Sequence, residues 1–561
     1  MKRFTDYFSR ERIFIGSVAI AVAILNQLHV IIQWVANRPG FVFTGIAHYF
    51  ADYFLYVAQM VEGARGSLLY YHRFTNEPVA PTWIYWFNAL LGRLGYLVGI
   101  SPFATYNIAL FVLVMVSMLL TYALIRRVFP TNRYHRYTAL LISITASPFL
   151  DFQVLLREKA LRLPDLLWFS PNPAFNRYGG VPHQVFQTIL YLALCIIYGG
   201  TLENTKQAHV RDFIAKNYWR YLSLISLTVL GTTASPVQML VFLIGATSTT
   251  LFAIVYQKKL DWSHLLTLVV MGLVALPAAW LTNREFSETV FAVGKIWELS
   301  QYVDTSAVHF LIALGISGVY IPFGIIPILR KGKPLPILLF FYAISSILLF
   351  FSPIPKLLGT TPVRYLHPAS YTGLWILATT GMIVLTQKIK HVFGKAVSSR
   401  LVCISLLGLY ILFTLPSYII QIQARIDPKT NPNLLMDTRY NHVPKTVSDT
   451  LLALGGLPTN PNYPVVLVDS TDRIEILVPV FADKIVFTGH PVHTLYSDTK
   501  ELLRSQFFSG AIYGEEAVTF LNAHRIGFIL LGTQNHAVSL PQSLFTKVFT
   551  NEEFTIYERE R

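Results

Sequence analysis

Long apolar runs separated by short polar links dominate the first three quarters of the chain. About eleven of them, near 13-35, 102-125, 137-155, 184-200, 219-232, 235-256, 264-283, 307-329, 335-353, 366-386 and 400-422, approach the roughly 20 apolar residues that cross a bilayer as a helix. Thr232, Thr233, Ser235 and Pro236 interrupt one pair, which leaves a hairpin or a single broken helix open there. After residue 422 the period changes. A helix from Pro444 through Leu454, stopped by Gly455-Gly456, precedes short apolar runs at 465-468 and 485-487 that read as buried strands. Asp498 and Glu501 form a capping-box pattern ahead of a helix stopped at Gly510. A helix near 515-524, a strand at 526-531 and a last edge strand at 554-557 complete the tail. The pattern predicts an α-helical polytopic membrane protein with about 11 transmembrane helices over 1-422, followed by a small α/β domain over 423-561.

Charge orients this layout. Arg126-Arg127, Lys258-Lys259, Arg330-Lys331-Lys333 and Lys388-Lys390 fall in alternate links, so the positive-inside rule puts the amino end in the cytoplasm. The long loops 36-101 and 157-183 and the α/β tail are then extracytoplasmic. Of 561 residues 53% are hydrophobic and only 13% charged, which excludes an ordinary soluble domain. The net charge of +15 suggests nucleic acid, but it is scattered between spans and builds no binding stripe. Cys195 and Cys403 sit in separate spans and give no disulfide framework or metal-ligand spacing. The first apolar run is too long for a signal-peptide core and reads as an uncleaved anchor. The tail has no G-x-G-x-x-G after a strand and no Walker A sequence, and the whole chain has no D-x-D. No N-x-Ser/Thr sequon occurs, as suits a bacterial envelope.

Chemistry concentrates in the loops. The stretch GIAHYFADYFLYVAQMVEGARG, 45-66, places one carboxylate, Asp52, in an aromatic run. As a helix it lines up Tyr49, Asp52, Tyr56, Gln59 and Gly63 on one stripe. A second, Trp-rich helix within 81-99, cut by Gly92 and Gly95, is amphipathic and suits the membrane surface. Loop 157-183 carries Arg157, Lys159, Arg162, Asp165, Arg177 and His183, with Asp151 at its edge as a second acid; later segments add Arg284, Glu285, Lys295, Glu298, Lys356, Arg364 and His367. Acids beside cations suit a reaction in which a carboxylate takes a proton from a hydroxyl while cations hold a phosphate.

These features together resemble the GT-C superfamily of polytopic glycosyltransferases, which use polyprenyl-phosphate-linked sugars on the non-cytoplasmic side. The resemblance rests on Asp52, Tyr56 and Gly63 after the first span, on the Trp-rich helix, on Arg364-Tyr365-Leu366-His367-Pro368 before a late span, and on the tail segment GHPVHTLYSDTKELLRSQFF, 489-508, similar to one in uncharacterised bacterial multispan proteins. It implies Asp52 as general base and Arg364 as the cation near the donor phosphate. His367, Arg157, Lys159, Arg162, Arg177 and His183 are the further donor-side candidates, and Tyr49, Tyr56, Gln59 and Glu62 the acceptor or sugar contacts. Many members carry two adjacent acids in the first loop; here Tyr53 follows Asp52, which leaves a divalent cation open. The implied partners are the bilayer, a polyprenyl-phosphate-sugar donor and a glycan, lipid or protein acceptor, at a bacterial inner membrane. A flippase or transporter predicts ionisable residues near mid-span and repeated helix breaks in two halves, and an envelope scaffold predicts a dispensable Asp52.

Overall fold

The structure is a computed structural model that describes residues 2-159, 161-163, 170-203, 218-258, 260, 263-300, 305-394, 398-427, 439-469, 473-535, 537-538, 540-541 and 543-560. Asp165 and Lys259 lie outside the described residues. The chain divides into two compact units, one of Met1–Leu28, Leu110–Asn283 and Glu298–Thr430, the other of His29–Ala109, Arg284–Trp297 and Asn431–Arg561.

The first unit is helical. Among the described residues seven helices are long and apolar enough to cross a membrane: Pro102–Val128, Pro182–Glu203, Pro236–Val255, His264–Phe286, Ala307–Arg330, Pro368–Phe393 and Ser399–Ile426. The first expected span, 13-35, is instead a pair, Arg10–Asn26 and Leu28–Val35, bent by 63°, and counting it as one gives eight. Arg425 donates to the Asn26 carbonyl at this bend. Such a bond satisfies an acceptor that the broken helix leaves open.

The other expected spans are shorter as helices. Pro334–Phe350 and Tyr218–Ala234 each have 17 residues. The interrupted pair is two helices, with Ser235 capping the second through the Gln238 amide and Pro236 in its first turn. The run at 137-155 is broken: the 13-residue helix Arg133–Thr145 ends inside it. Pro148 disfavours helical geometry in Ser147, and Asp151 then caps a new helix, Phe152–Glu158, by accepting from the Gln153 and Val154 amides. Asp151, expected as a second acid, is thus engaged through one oxygen as a helix cap.

Small residues set the packing of this unit. A Cβ on Gly381 would lie 1.8 Å from the Tyr320 carbonyl oxygen, and one on Gly324 would lie 2.1 Å from that of Leu377. The helices Ala307–Lys331 and Pro368–Phe393 thus touch backbone to backbone, as apolar helices in lipid must where no hydrophobic force drives them together.

The second unit joins the first long loop to the tail. β1 (Phe41–Phe43) pairs antiparallel with β2 (His442–Pro444). β3 (Val465–Val468), β4 (Ile485–Val486), β5 (Ile526–Gly532), β6 (Phe545–Thr550) and β7 (Phe554–Arg559) form a mixed sheet in the order β4-β3-β5-β7-β6. Strand β7, expected at an edge, runs antiparallel between β5 and β6. Helices Ser497–Phe508 and Gly514–Ala523 supply Phe507, Phe508, Phe520 and Leu521 to a core with Val465, Leu467, Ile526 and Ile529. The expected capping box is absent. Tyr496, left-handed at φ 55°, precedes the helix with no side-chain cap, and Glu501 instead accepts from Arg504 at 2.6 Å.

Gly92 and Gly95 do not cut the Trp-rich helix, which runs unbroken over Trp86–Leu97. They allow contact. A Cβ on Gly92 would lie 2.0 Å from the Met60 carbonyl oxygen, and one on Gly63 would lie 1.8 Å from that of Ala89. Helix Phe50–Ala64 is thereby fixed against Trp86–Leu97, with Asn88 donating to Gln59 at 2.7 Å in the seam. Leu94 and Leu97 point outward and are exposed.

Candidate functional site: a carboxylate held by a histidine

Asp52 stands in the first turn of helix Phe50–Ala64. The N-terminal end of that helix is anchored by residues from far along the chain: Thr44 donates its hydroxyl to the Tyr440 carbonyl at 2.7 Å, the Ile46 amide donates to the Asn441 side chain at 2.6 Å, and Phe50 stacks on Tyr440 at 4.4 Å. Within the helix Tyr53 donates to the Thr44 carbonyl at 2.6 Å. The acid therefore has a fixed place.

His490 meets it there. The ring Nε2 lies 3.1 Å from Asp52 Oδ1, and the imidazole is 3% exposed while the carboxylate side chain is 45% exposed. His490 Nδ1 accepts from the Val492 and His493 amides at 3.1 and 3.2 Å. A nitrogen that accepts carries no proton, so this network assigns the proton to Nε2, which donates to Asp52. The segment around His490 is itself held by the first loop: Val486 donates its amide to the Arg73 carbonyl at 2.9 Å, Thr494 its hydroxyl to the Phe74 carbonyl at 2.7 Å, and Lys500 reaches Glu77 at 2.7 Å.

More histidines surround the pair. His48, one turn before Asp52, lies 2.7 Å from the Tyr106 hydroxyl and packs against Tyr53 and Tyr56. Burial pushes its pKa down to about 4, although Asp52 pulls it up. Buried His493 stacks on His72 at 6.3 Å, both rings meet Phe291 edge-on, and burial pushes His72 down to about 4. These rings are neutral at pH 7. The unfolded chain protonates His72 near 6.5 and the folded one only near 4, so stability rises with pH across that interval and is lost on acidification. His72 alone should cost about 2 kcal/mol at pH 5 relative to pH 7. Denaturant unfolding at the two pH values measures the slope, and His72→Phe should make it shallower by about that share, with His48 and His493 supplying the rest.

The remaining predicted residues divide. Tyr49 is exposed and Tyr56 half-buried beside Asp52, both in the second unit. Gln59 is fully buried against Asn88, and Glu62 is buried and paired with Arg73 at 2.7 Å, so neither faces an acceptor. The donor-side candidates all belong to the first unit. Arg157, Lys159 and Arg162 are exposed, and His183 is half-buried in the first turn of Pro182–Glu203. Arg364 is 57% exposed and paired with Glu298. His367 is buried, its Nδ1 capping helix Pro368–Phe393 at the Ala369 amide and its ring edge-on to Tyr191, which removes it as a phosphate ligand.

Arg177 is corrected as well. Its guanidinium donates to the carbonyls of Ser143 at 3.0 Å, Ala146 at 2.6 Å, Pro171 at 3.0 Å and Asn172 at 2.9 Å, and lies over Trp375. It caps the helix that Pro148 ends, and its burial leaves no face for a donor. Arg177→Gln should destabilise the protein by about 3 kcal/mol, because those acceptors lose charged donors, and a thermal or denaturant melt checks it.

Sequence reading missed His490, His48, His72 and His493 as site residues; the GHPVH segment, 489-493, was the available signal for His490 and His493. Among the described residues no three His, Cys, Asp or Glu side chains converge as a metal-ligand set. A cavity of about 220 Å³ in the first unit, lined by Arg127, Gly200, Trp219 and Arg220, contains none of the predicted residues.

No family model matches the chain, and no curated protein matches it. Among solved structures, the chain is similar to the oligosaccharyltransferase of Archaeoglobus fulgidus in its apo form, at 10% identity and a TM-score of 0.49, over 93% of this chain and 69% of that one. It is similar also to the same organism's enzyme AglB in complex with an inhibitory peptide and a dolichol-phosphate, at 11% identity and 0.46 over 92% and 69%, and to that organism's enzyme tethered to an acceptor peptide containing the NVT sequon, at 12% and 0.48 over 97% and 74%.

Proposed function

We propose that this protein is an integral membrane glycosyltransferase of the GT-C type, moving a sugar from a polyprenyl-phosphate donor to a hydroxyl acceptor on the non-cytoplasmic side of a bacterial inner membrane. The observation that carries this reading is the half-exposed Asp52 carboxylate with His490 donating to one of its oxygens. A carboxylate so held accepts a proton without having to be positioned first. The acceptor oxygen attacks the anomeric carbon, the bond from that carbon to the phosphate oxygen breaks, the phosphate leaves with the electron pair, and the hydroxyl proton passes to Asp52. Tyr49 and Tyr56 offer aromatic faces for sugar or acceptor. Arg364, with Arg157, Lys159, Arg162 and His183, is the donor-side set. The α/β tail, as part of 423-561, contributes His490.

The experiment is incubation of the purified full chain with a panel of radiolabelled polyprenyl-phosphate sugars. Transfer of label from at least one donor is expected. Release from none would leave the transporter or scaffold reading in its place.

A further inference from the structure

Arg364 presents its guanidinium to Glu298 along one edge: Nε donates to Oε1 at 2.8 Å and Nη2 to Oε2 at 3.0 Å. Thr361 adds its hydroxyl, 3.0 Å from Oε1, and its backbone amide. Two parallel guanidinium bonds supplemented by a hydroxyl and an amide are the donor set that a phosphate takes as readily as a carboxylate. The present occupant is the chain's own acid, from the last turn of helix Thr289–Ser300.

We infer that Thr361 and Arg364 form an oxyanion site for the phosphate of a lipid-linked donor, and that Glu298 fills it while the donor is absent. This rests on the donor class proposed above. The carboxylate and a sugar phosphodiester each carry one negative charge, so one can replace the other without leaving a cation bare. As the sugar departs, the phosphate gains a second charge and its hold on Arg364 tightens, which favours the transition state over the bound donor. Arg364 is 57% exposed, so the guanidinium can be reached from solvent while Glu298 holds its inner edge. A placeholder of this kind lowers apparent affinity by the fraction of molecules it occupies.

The test is direct binding of farnesyl phosphate and of inorganic phosphate to the detergent-solubilised full chain by calorimetry, which needs no transfer and so succeeds or fails apart from the label assay. Glu298→Gln should bind farnesyl phosphate about three- to tenfold more tightly than wild type. Arg364→Gln should lose binding, and Thr361→Val should weaken it about threefold. If Glu298→Gln does not fold, the Thr361→Val and Arg364→Gln arms still decide. Unchanged or weaker binding by folded Glu298→Gln, or unchanged binding by Arg364→Gln or Thr361→Val, overturns the inference. Equal affinity for the two probes overturns its lipid-linked part.

Discussion

Asp52→Asn is expected to lower sugar transfer by about a hundred- to ten-thousandfold, the range a positioned base contributes, while the melting midpoint stays within error. The loss falls on kcat and not on donor KM, because the base acts on the acceptor proton. The stability expectation follows from geometry: the side chain is 45% exposed, and an asparagine oxygen still accepts from His490 Nε2. His490→Gln, which keeps an N–H donor near Nε2, should retain most of the rate, and His490→Phe should lose it. That contrast separates positioning from mere packing.

Gly92→Leu should be the most damaging substitution to the fold. The added carbon would meet the Met60 backbone at 2.0 Å, and the reciprocal approach of Gly63 to Ala89 prevents the helices from sliding to make room. Overpacking that no side chain can relieve exceeds the usual 1 to 3 kcal/mol, and about 4 kcal/mol or loss of the folded protein is expected. Asp52 rides on the displaced helix, so transfer falls with it. Gly456→Ala, where nothing lies within 4 Å, is the control and should be silent in the same melt.

How much of this was legible is seen at individual residues. Asp52 stood out because one acid in an aromatic run is conspicuous in any window. His490 did not, since its partner is 438 positions away and no periodicity links the two. The central strands at 465-468 and 526-531 were readable as continuous apolar runs. Strand β6 was overlooked although Phe545, Lys547 and Phe549 alternate ahead of an Asn551 turn, whose side chain accepts from the Glu553 and Phe554 amides. Gly92 and Gly95 read as breaks because sequence shows the missing side chain and not the neighbour that needs the space. Arg177 read as a ligand for phosphate because charge is visible in sequence, whereas the carbonyls that Pro148 leaves open are not.

The account stands on Asp52 and His490 acting as one unit, and a double-mutant cycle on the transfer rate measures that directly. With His490→Ala, Asp52→Asn and the double variant assayed on one donor, His490→Ala should cost wild type at least tenfold and the Asp52→Asn protein almost nothing further. Independent, multiplicative losses, or an Asp52→Asn protein that transfers sugar at the wild-type rate, would contradict it.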